Sequence, residues 1–441
     1  MIKNNKAHIC FFVFVFVFVF IFLIQDLLAG QEIGNKNYDN QFGGHLRFEG
    51  GVTGYGKTSY FEPVGTGTGL DGSASARLID KITISDTLYV EAHYEAALKF
   101  GDTHKKQVEL TKKFPSLSGA LVSDAWNIDK RRLFDLTKTS KETDDYILWN
   151  RLDRLFVSIK PSWGDIMVGR QAITWGNGMI FNPMDLFNPF SPADIVRDYK
   201  MGDDLVSVRF ATEMVEEVSL LYVPRRNITT GEVDFDKSSL AGKFHFFVED
   251  VEVDVMSSLH YDEIVLGLGG TGNIRDAAWR LDIIWSSLED ASDKGGYIGF
   301  VANIDYSWVW FHKNIYGFIE YYHNGLGKEN YTHAMEDPAL MERMDRGELF
   351  ALGKNYVNIG IQVELHPLLT LHFNAINNIQ DPSGILQPWA VFSMTQNSTL
   401  LLGANIFYGS KETEYGGFLL PGTDFNTNAS ANAYLLLTYY F

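Results

Sequence analysis

Between Val357 and Leu365 every second residue is aliphatic, Val357, Ile359, Ile361, Val363 and Leu365, while Tyr356, Asn358, Gln362, Glu364 and His366 stand on the alternate side. A repeat of two places successive side chains on opposite faces of an extended strand, so one face is greasy and the other wet. The alternation recurs along the chain. Val90, Ala92, Tyr94 and Ala96 alternate with Glu91, His93 and Glu95; Val251, Val253 and Val255 with Glu252 and Asp254; Trp279, Leu281, Ile283 and Trp285 with Arg280 and Asp282; Leu369, Leu371, Phe373 and Ala375 with Thr370, His372 and Asn374. Two architectures satisfy this pattern: a soluble sandwich with its apolar face inward, or a membrane barrel with that face turned to lipid.

Strand length and parity separate the two. Segments of about ten residues give roughly eighteen strands. They start near Gly44, Ala74, Thr87, Tyr146, Gly164, Asp204, Val218, Ser239, Val251, Ile264, Ala277, Tyr297, Asn314, Tyr356, Leu368, Ile385, Thr399 and Ala433. The stretch from Gly269 to Asp276 divides poorly and leaves a count of about sixteen open. With the N-terminus on the periplasmic side, short connections fall at Ser85-Asp86, Lys160 to Trp163, Thr212 to Glu217, Glu249-Asp250, Tyr306 to Lys313, His366-Pro367 and Asn397-Ser398. Most long ones fall opposite, at Gly56 to Gly72, Gly101 to Asp145, Trp175 to Asp203, Pro224 to Lys237, His323 to Gly353 and Gly409 to Ser430. An even number of strands with alternating short and long connections predicts an all-β, closed transmembrane antiparallel barrel. The aromatics near strand ends, Trp149, Phe156, Trp163, Trp175, Trp285, Trp308, Trp310, Phe311, Tyr321, Tyr408, Tyr439 and Phe441, are expected at the bilayer edges.

Lys3 and Lys6 precede an uncharged run from Ile9 to Ile24, and a short region then ends in Leu28-Ala29-Gly30. This layout predicts a secretory signal over residues 1–30, removed near Ala29 or Gly30, and a single barrel domain over 31–441. The sole cysteine, Cys10, lies inside the signal, so the mature chain is expected to hold neither disulfides nor cysteine-ligated zinc. The formal charge of −18 argues against nucleic acid as a partner. No cofactor or metal is expected, because Asp194, Asp198, Asp203 and Asp204 lack EF-hand spacing. No Gly-x-Ser-x-Gly elbow, His-Glu-x-x-His or phosphate-binding glycine loop is present, which argues against an enzyme. His93 with its nearby acids reads as hydrogen bonding in the lumen. Strands begin soon after the signal, which disfavours a transporter with a plug domain.

The stretch from Asp165 to Asp204 starts as a strand and then loses its pattern, punctuated by Asn182-Pro183, Asn188-Pro189 and Ser191-Pro192. Such a long irregular segment is usually functional. Trp175, Met179, Ile180, Phe181, Met184, Leu186, Phe187 and Phe190 make it too apolar to stay in solvent. The loop over residues 175–203 is therefore expected to fold into the barrel, packing through Phe181, Phe187 and Phe190. Its Asp185, Asp194, Arg197, Asp198 and Lys200 would then constrict the passage, facing lumen candidates Arg47, Glu49, Arg77, Glu91, Glu95, Arg154, Arg209, Arg280, Asp282 and Glu364. Charges on opposite walls of a narrow passage focus a field that filters solutes. Because strands and turns lie outside the loop, its deletion is expected to leave the barrel folded.

Gly169-Arg170-Gln171 followed by Trp175-Gly176, the barrel pattern, and a strand from Ala433 to Phe441 that ends flush with an aromatic resemble the larger porin-like barrels of Gram-negative outer membranes, including the eighteen-stranded alginate-export type. The resemblance implies an inward loop that narrows the pore, handling of Phe441 by the barrel-assembly machinery, and surroundings of outer-membrane lipid and lipopolysaccharide. The expected function is passive or facilitated diffusion of small hydrophilic solutes. The alternative is a surface-polysaccharide binding or export barrel, since Lys105, Lys106, Lys112, Lys113, Lys130, Arg131 and Arg132 form a basic stretch suited to acidic glycans. An outer-membrane enzyme stands third.

Overall fold

The computed structural model describes residues 39–56, 59–114, 128–288, 295–427 and 431–441, in which nineteen strands form one antiparallel sheet. The expected signal, residues 1–30, lies outside the described residues. The wall begins with β1 (Asp39–Tyr55), β2 (Gly67–Ser85) and β3 (Leu88–Gly101), followed by a short β4 (Thr137–Glu142) and then β5 (Tyr146–Ile159), β6 (Asp165–Gln171) and β7 (Asp203–Phe210). It continues through β8 (Glu217–Arg226), β9 (Val233–Val248), β10 (Val251–His260), β11 (Glu263–Ile274), β12 (Ala277–Ser286) and β13 (Tyr297–Trp310). The last six are β14 (Lys313–Asn324), β15 (Asn355–His366), β16 (Leu369–Asn378), β17 (Ser383–Thr395), β18 (Ser398–Tyr408) and β19 (Asn432–Tyr440). β1 pairs with β2 on one side and with β19 on the other, from His45↔Tyr440 to Thr53↔Asn432, so no open edge remains.

Eighteen positions make up the circumference, because β4 and β6 share one. β6 pairs with Leu155–Ile159 of β5 and stops at Gln171, where the chain leaves the wall. β4 pairs with β5 above it, from Thr137↔Arg151 to Glu142↔Ile147. It satisfies backbone groups that the early end of β6 would leave bare, a requirement wherever water is absent. The uncertain Gly269 to Asp276 stretch also resolves to eighteen: β11 runs through its glycines and turns at Arg275, at φ 57°. Similarly, β13 extends to Trp310, shortening the expected Tyr306 to Lys313 connection to Phe311 and His312, both at positive φ (47° and 57°), as two-residue hairpins demand.

Polarity is inverted relative to a soluble sandwich. On β15, Ile359 and Ile361 point outward and are exposed, whereas Asn358 just before them and Gly360 between them are buried. Exposed Val255, Leu259, Ile264, Leu266, Leu268, Ile283 and Trp285 continue this outer surface around β10 to β12. A contiguous apolar belt of this kind suits hydrocarbon and is untenable in water. Trp163, Trp310, Phe311, Tyr439 and Phe441 are exposed near the short-turn rim, as expected of interface residues. Three expected belt residues are not there. Trp149 shares the inward parity of Arg151, whose guanidinium lies 5.8 Å from its ring, Phe156 points inward, edge-on to Tyr89 at 6.0 Å, and Trp175 is buried in the lumen with the loop. Among the described residues no helix is long and apolar enough to cross a membrane.

Long connections gather at the other rim. One carries α1 (Asp102–Lys113), another α2 (Tyr331–Ala334) and α3 (Pro338–Arg346). α3 starts because Asp337 caps the Leu340 amide with Pro338 in the first turn, and it ends at Gly347 in the left-handed region. Its Leu340 joins Tyr331, Ala334, Leu349, Leu352 and Phe418 in an apolar cluster that ties two long connections together over the barrel.

The closing seam supplies a test. A Cβ on Gly44 would lie 2.1 Å from the Arg77 carbonyl oxygen, whereas one on Gly50 of the same strand would meet nothing within 4 Å. Gly44→Ala is expected to abolish the heat-modifiable gel migration of the refolded protein, and Gly50→Ala to retain it.

Candidate functional site

The inner wall of β7 to β12 breaks the polar-inward rule. Leu205, Leu221, Val223, Ala241, Met256, Val265 and Ile284 are buried there, and they pack against Trp175, Met184, Leu186 and Phe187 of the β6–β7 loop. Farther round, Phe181 stacks on Tyr322 at 4.3 Å and joins Val301, Tyr356, Ile376 and Ile385. The loop therefore lies inside the barrel, held by its apolar side chains. Phe190 departs from this arrangement, being 42% exposed. Deleting the loop would bare these wall residues to water, so its removal carries a cost in buried apolar surface.

Two wall carboxylates hold the outgoing limb. Asp282 accepts from the Asn177 amide (2.5 Å) and side chain (2.9 Å). Gly176 makes the approach possible: it sits at φ +84°, and a Cβ there would meet Asn182 Oδ1 at 2.2 Å. Glu320, fully buried on β14, accepts the consecutive amides of Met179 (2.6 Å), Ile180 (3.2 Å) and Phe181 (3.0 Å), while Asn358 donates to it at 3.1 Å. A carboxylate cradled by three backbone donors and an amide is well satisfied without a counter-cation. Glu320 escaped the sequence reading, although it is the lone acid in Lys313–Asn324 and sits on the inward parity of that strand.

The returning limb carries the exposed charges. Gln387 of β17 donates to the Ala193 carbonyl at 3.4 Å, after which Asp194 pairs with Arg197 (3.2 Å) and Asp198 pairs with Arg47 of β1. Asp194, Arg197 and Asp198 stay partly open, with 30%, 38% and 47% of their side chains exposed. Tyr199 donates to Glu95 at 2.6 Å and lies under the Arg77 guanidinium, 3.6 Å from its ring. Burial and the neighbouring Glu95 push its hydroxyl up to about 12.

Asp185 and Lys200 correct the expectation that they line the passage. They pair with each other at 2.5 Å and both are buried. Lys200 also reaches the Ile173 carbonyl, and its own carbonyl accepts from Arg154 at 2.5 Å. Burial pushes the Asp185 carboxyl up to about 6 against the pull of Lys200, and burial lowers Lys200. The pair clasps the two limbs of the loop.

The wall facing the returning limb, on β1, β2, β3 and β5, is a mesh of alternating charge. Arg77 meets Asp153 at 2.6 Å and His93 at 2.9 Å, His93 meets Glu91 at 2.8 Å, and Arg151 meets Glu95 at 2.5 Å. Arg77 and Glu95 face inward but are covered, as is Asp282, so these three candidates anchor the loop instead of meeting solute. Arg47, Glu49, Glu91, Arg154, Arg209, Arg280 and Glu364 keep partial exposure. Arg209 pairs with Asp165 at 2.8 Å, and Arg280 pairs with Asp305.

Gly169-Arg170-Gln171 serves the wall. Gly169 has φ 128°, and a Cβ there would strike the Leu155 carbonyl at 2.2 Å. Arg170, 1% exposed, grips Asp204 with two bonds (2.8 and 2.9 Å) and reaches Asp129 at 3.0 Å, while Gln171 accepts from Ser207 at 3.2 Å. Arg132 and Arg225 reach Asp203 at 3.8 and 2.7 Å. The Asp203 and Asp204 carboxylates that could have bound calcium are spent on guanidinium groups.

The basic stretch is likewise engaged. Lys112 bonds Asp144 at 2.7 Å, Lys113 the Pro63 carbonyl at 2.7 Å, Lys106 the Val64 carbonyl at 3.2 Å, and Arg131 pairs with Asp345. One arrangement imitates catalytic machinery: His260 bonds Ser239 at 2.8 Å and Glu348 at 3.0 Å. Ser239 is 1% and His260 2% exposed, with Phe187 edge-on to the imidazole at 5.6 Å. A sealed hydroxyl meets no substrate, and this relay fastens a long connection to the wall.

An eighteen-stranded closed barrel with a polar interior and an inward loop has the porin fold. Among solved structures, the chain is similar to Acinetobacter baumannii OccAB1 (TM-score 0.52, 9% identity, 91% of this chain and 96% of that one). It is also similar to a BenF-like porin from Pseudomonas fluorescens (0.52, 10%, 91% and 98%) and to Pseudomonas aeruginosa OccK8 (0.50, 8%, 91% and 98%). No protein-family model matches the chain, and no curated protein matches its sequence.

Two predictions follow from the anchoring. Glu320→Ala leaves buried amides without an acceptor, each costing about 1–3 kcal/mol, so urea unfolding in detergent should shift to markedly lower concentration. Asp185→Asn and Lys200→Met should each destabilise by about 3–5 kcal/mol, since each strands a buried partner, and the double variant by less than either alone.

Proposed function

We propose that this chain is a channel in the outer membrane of a Gram-negative bacterium through which small hydrophilic solutes diffuse passively or with facilitation. The observation that carries this reading is a lumen with a wet, charged wall, partly filled by a loop whose exposed groups are Asp194, Arg197 and Asp198. These three form the selectivity element, with Arg47 as the wall partner of Asp198. The mature domain starts after a signal removed near Ala29 or Gly30, and Phe441 presents the chain to the barrel-assembly machinery. Lipid and lipopolysaccharide surround the belt. Among the described residues Lys106, Lys112, Lys113 and Arg131 of the basic stretch already hold partners, which weighs against acidic-glycan binding, and the sealed Ser239–His260–Glu348 relay does not favour an enzyme.

Purified protein in planar bilayers should give single-channel steps in salt. Asp198→Asn removes a negative charge and releases Arg47, so the permeability ratio should move toward anions. Arg197→Gln should move it toward cations. A bilayer that stays silent at every voltage, with correctly folded protein, refutes the channel.

A further inference from the structure

The inner wall away from the charged mesh is built differently. Cross-strand register joins Tyr316, Gln362, His372, Trp389, Gly403 and Tyr434 into one row from β14 to β19. Beside it runs a second row in which Asn374 pairs with Gln387, Gln387 donates to Asn405 at 2.9 Å, and Asn405 donates to Asn432 at 3.1 Å. Neither row carries an Asp, Glu, Lys or Arg.

Both rows turn to the lumen side, where Tyr316, His372, Trp389, Asn374, Asn405 and Asn432 stay partly exposed, while the buried Gln387 and Tyr434 hold their neighbours in place. The Tyr316 hydroxyl donates to the Met179 sulfur of the loop at 3.7 Å, and Gln387 reaches the Ala193 carbonyl. The Tyr434 ring lies over Gly403, where a Cβ would come within 2.6 Å of it. His372 and Trp389 stack at 4.7 Å with 4° between their planes, and both are half-buried. Tyr316 lies near the short-turn end of its strand, whereas Tyr434 lies near the long-loop end of β19, so the row climbs the wall and passes the loop.

We infer that this wall is a track for neutral saccharides, a proposal that rests on the channel reading and names its solute class. A pyranose presents flat C–H faces that lie against aromatic rings, and a rim of hydroxyls that both donate and accept. Rings with an apolar face and a polar tip, beside amides offering both donor and acceptor, match both features. Within the rows a charged solute would find no opposite charge to offset its lost hydration; Arg280, which reaches the same Met179 sulfur as Tyr316, and Glu364 stand only beside their lower end. Successive rings let a sugar pass from one apolar face to the next.

The test uses the refolded full barrel in planar bilayers, with a linear neutral glucose oligomer added to a conducting channel. The oligomer should interrupt the salt current in a concentration-dependent way. Trp389→Ala should raise the half-blocking concentration about tenfold, roughly 1.4 kcal/mol, while Trp389→Phe, which keeps a ring, should stay near wild type. His372→Ala, which leaves Trp389 in place, should weaken block in the same direction and stands in if the first variant does not assemble. A conducting channel undisturbed by the oligomer, or blocked equally in the ring-deleted variants, overturns the track while leaving the channel intact. Block by an aromatic carboxylate of similar size and not by the oligomer also overturns it. Absence of salt current overturns the channel reading, and the track with it.

Discussion

Backbone amides and carbonyls in hydrocarbon have no water to bond, and every other property of this protein answers to that fact. A sheet can satisfy them only by leaving no edge, so the strands close on themselves through the β1–β19 seam. The same demand explains β4, which takes up the pairing surface that the short β6 vacates beside β5. The loop can leave the wall early because another segment of chain fills the place it would have occupied.

Closure fixes the inversion of polarity, and inversion sets what can stand inside. Where Leu221, Val223 and Met256 interrupt the polar interior, the loop covers them with Trp175, Met184 and Phe187. Where the interior is charged, acids and guanidinium groups alternate closely enough to satisfy one another, as in the Arg77–Asp153 and Arg151–Glu95 pairs. A third kind of surface, aromatic and amide, runs in two rows across β14 to β19. The lumen is therefore chemically divided around its circumference, with the loop returning between the sectors.

The barrel was legible because its signal is local. The alternation on β15 and the parity of short and long connections follow from strand geometry alone, and the structure keeps both. The glycines of β11 weakened that signal, since a residue without a side chain marks neither face. The loop was legible as inward from its apolar content, but its charges were not sortable. Asp185, Asp194, Asp198 and Lys200 look alike in an irregular segment, and only the fold decides that Asp185 and Lys200 meet while Asp198 reaches Arg47. Asp129 and Arg170, forty-one positions apart, are joined by the same kind of distant contact. No periodicity announces it.

The seam has a consequence for how the molecule comes into being. Nearly all neighbouring strands in the wall adjoin in sequence, so their hairpins form at low entropic cost, and one pairing alone joins the two ends of the barrel. That last pairing costs only logarithmically more than a hairpin in loop entropy, yet it must wait until both ends are present. Until then the growing sheet carries two bare edges, each a template for a stray strand. A chain interrupted before Asn432 would retain most of its hairpins and still be an open, sticky ribbon, so the final segment decides between a sealed cylinder and an aggregate.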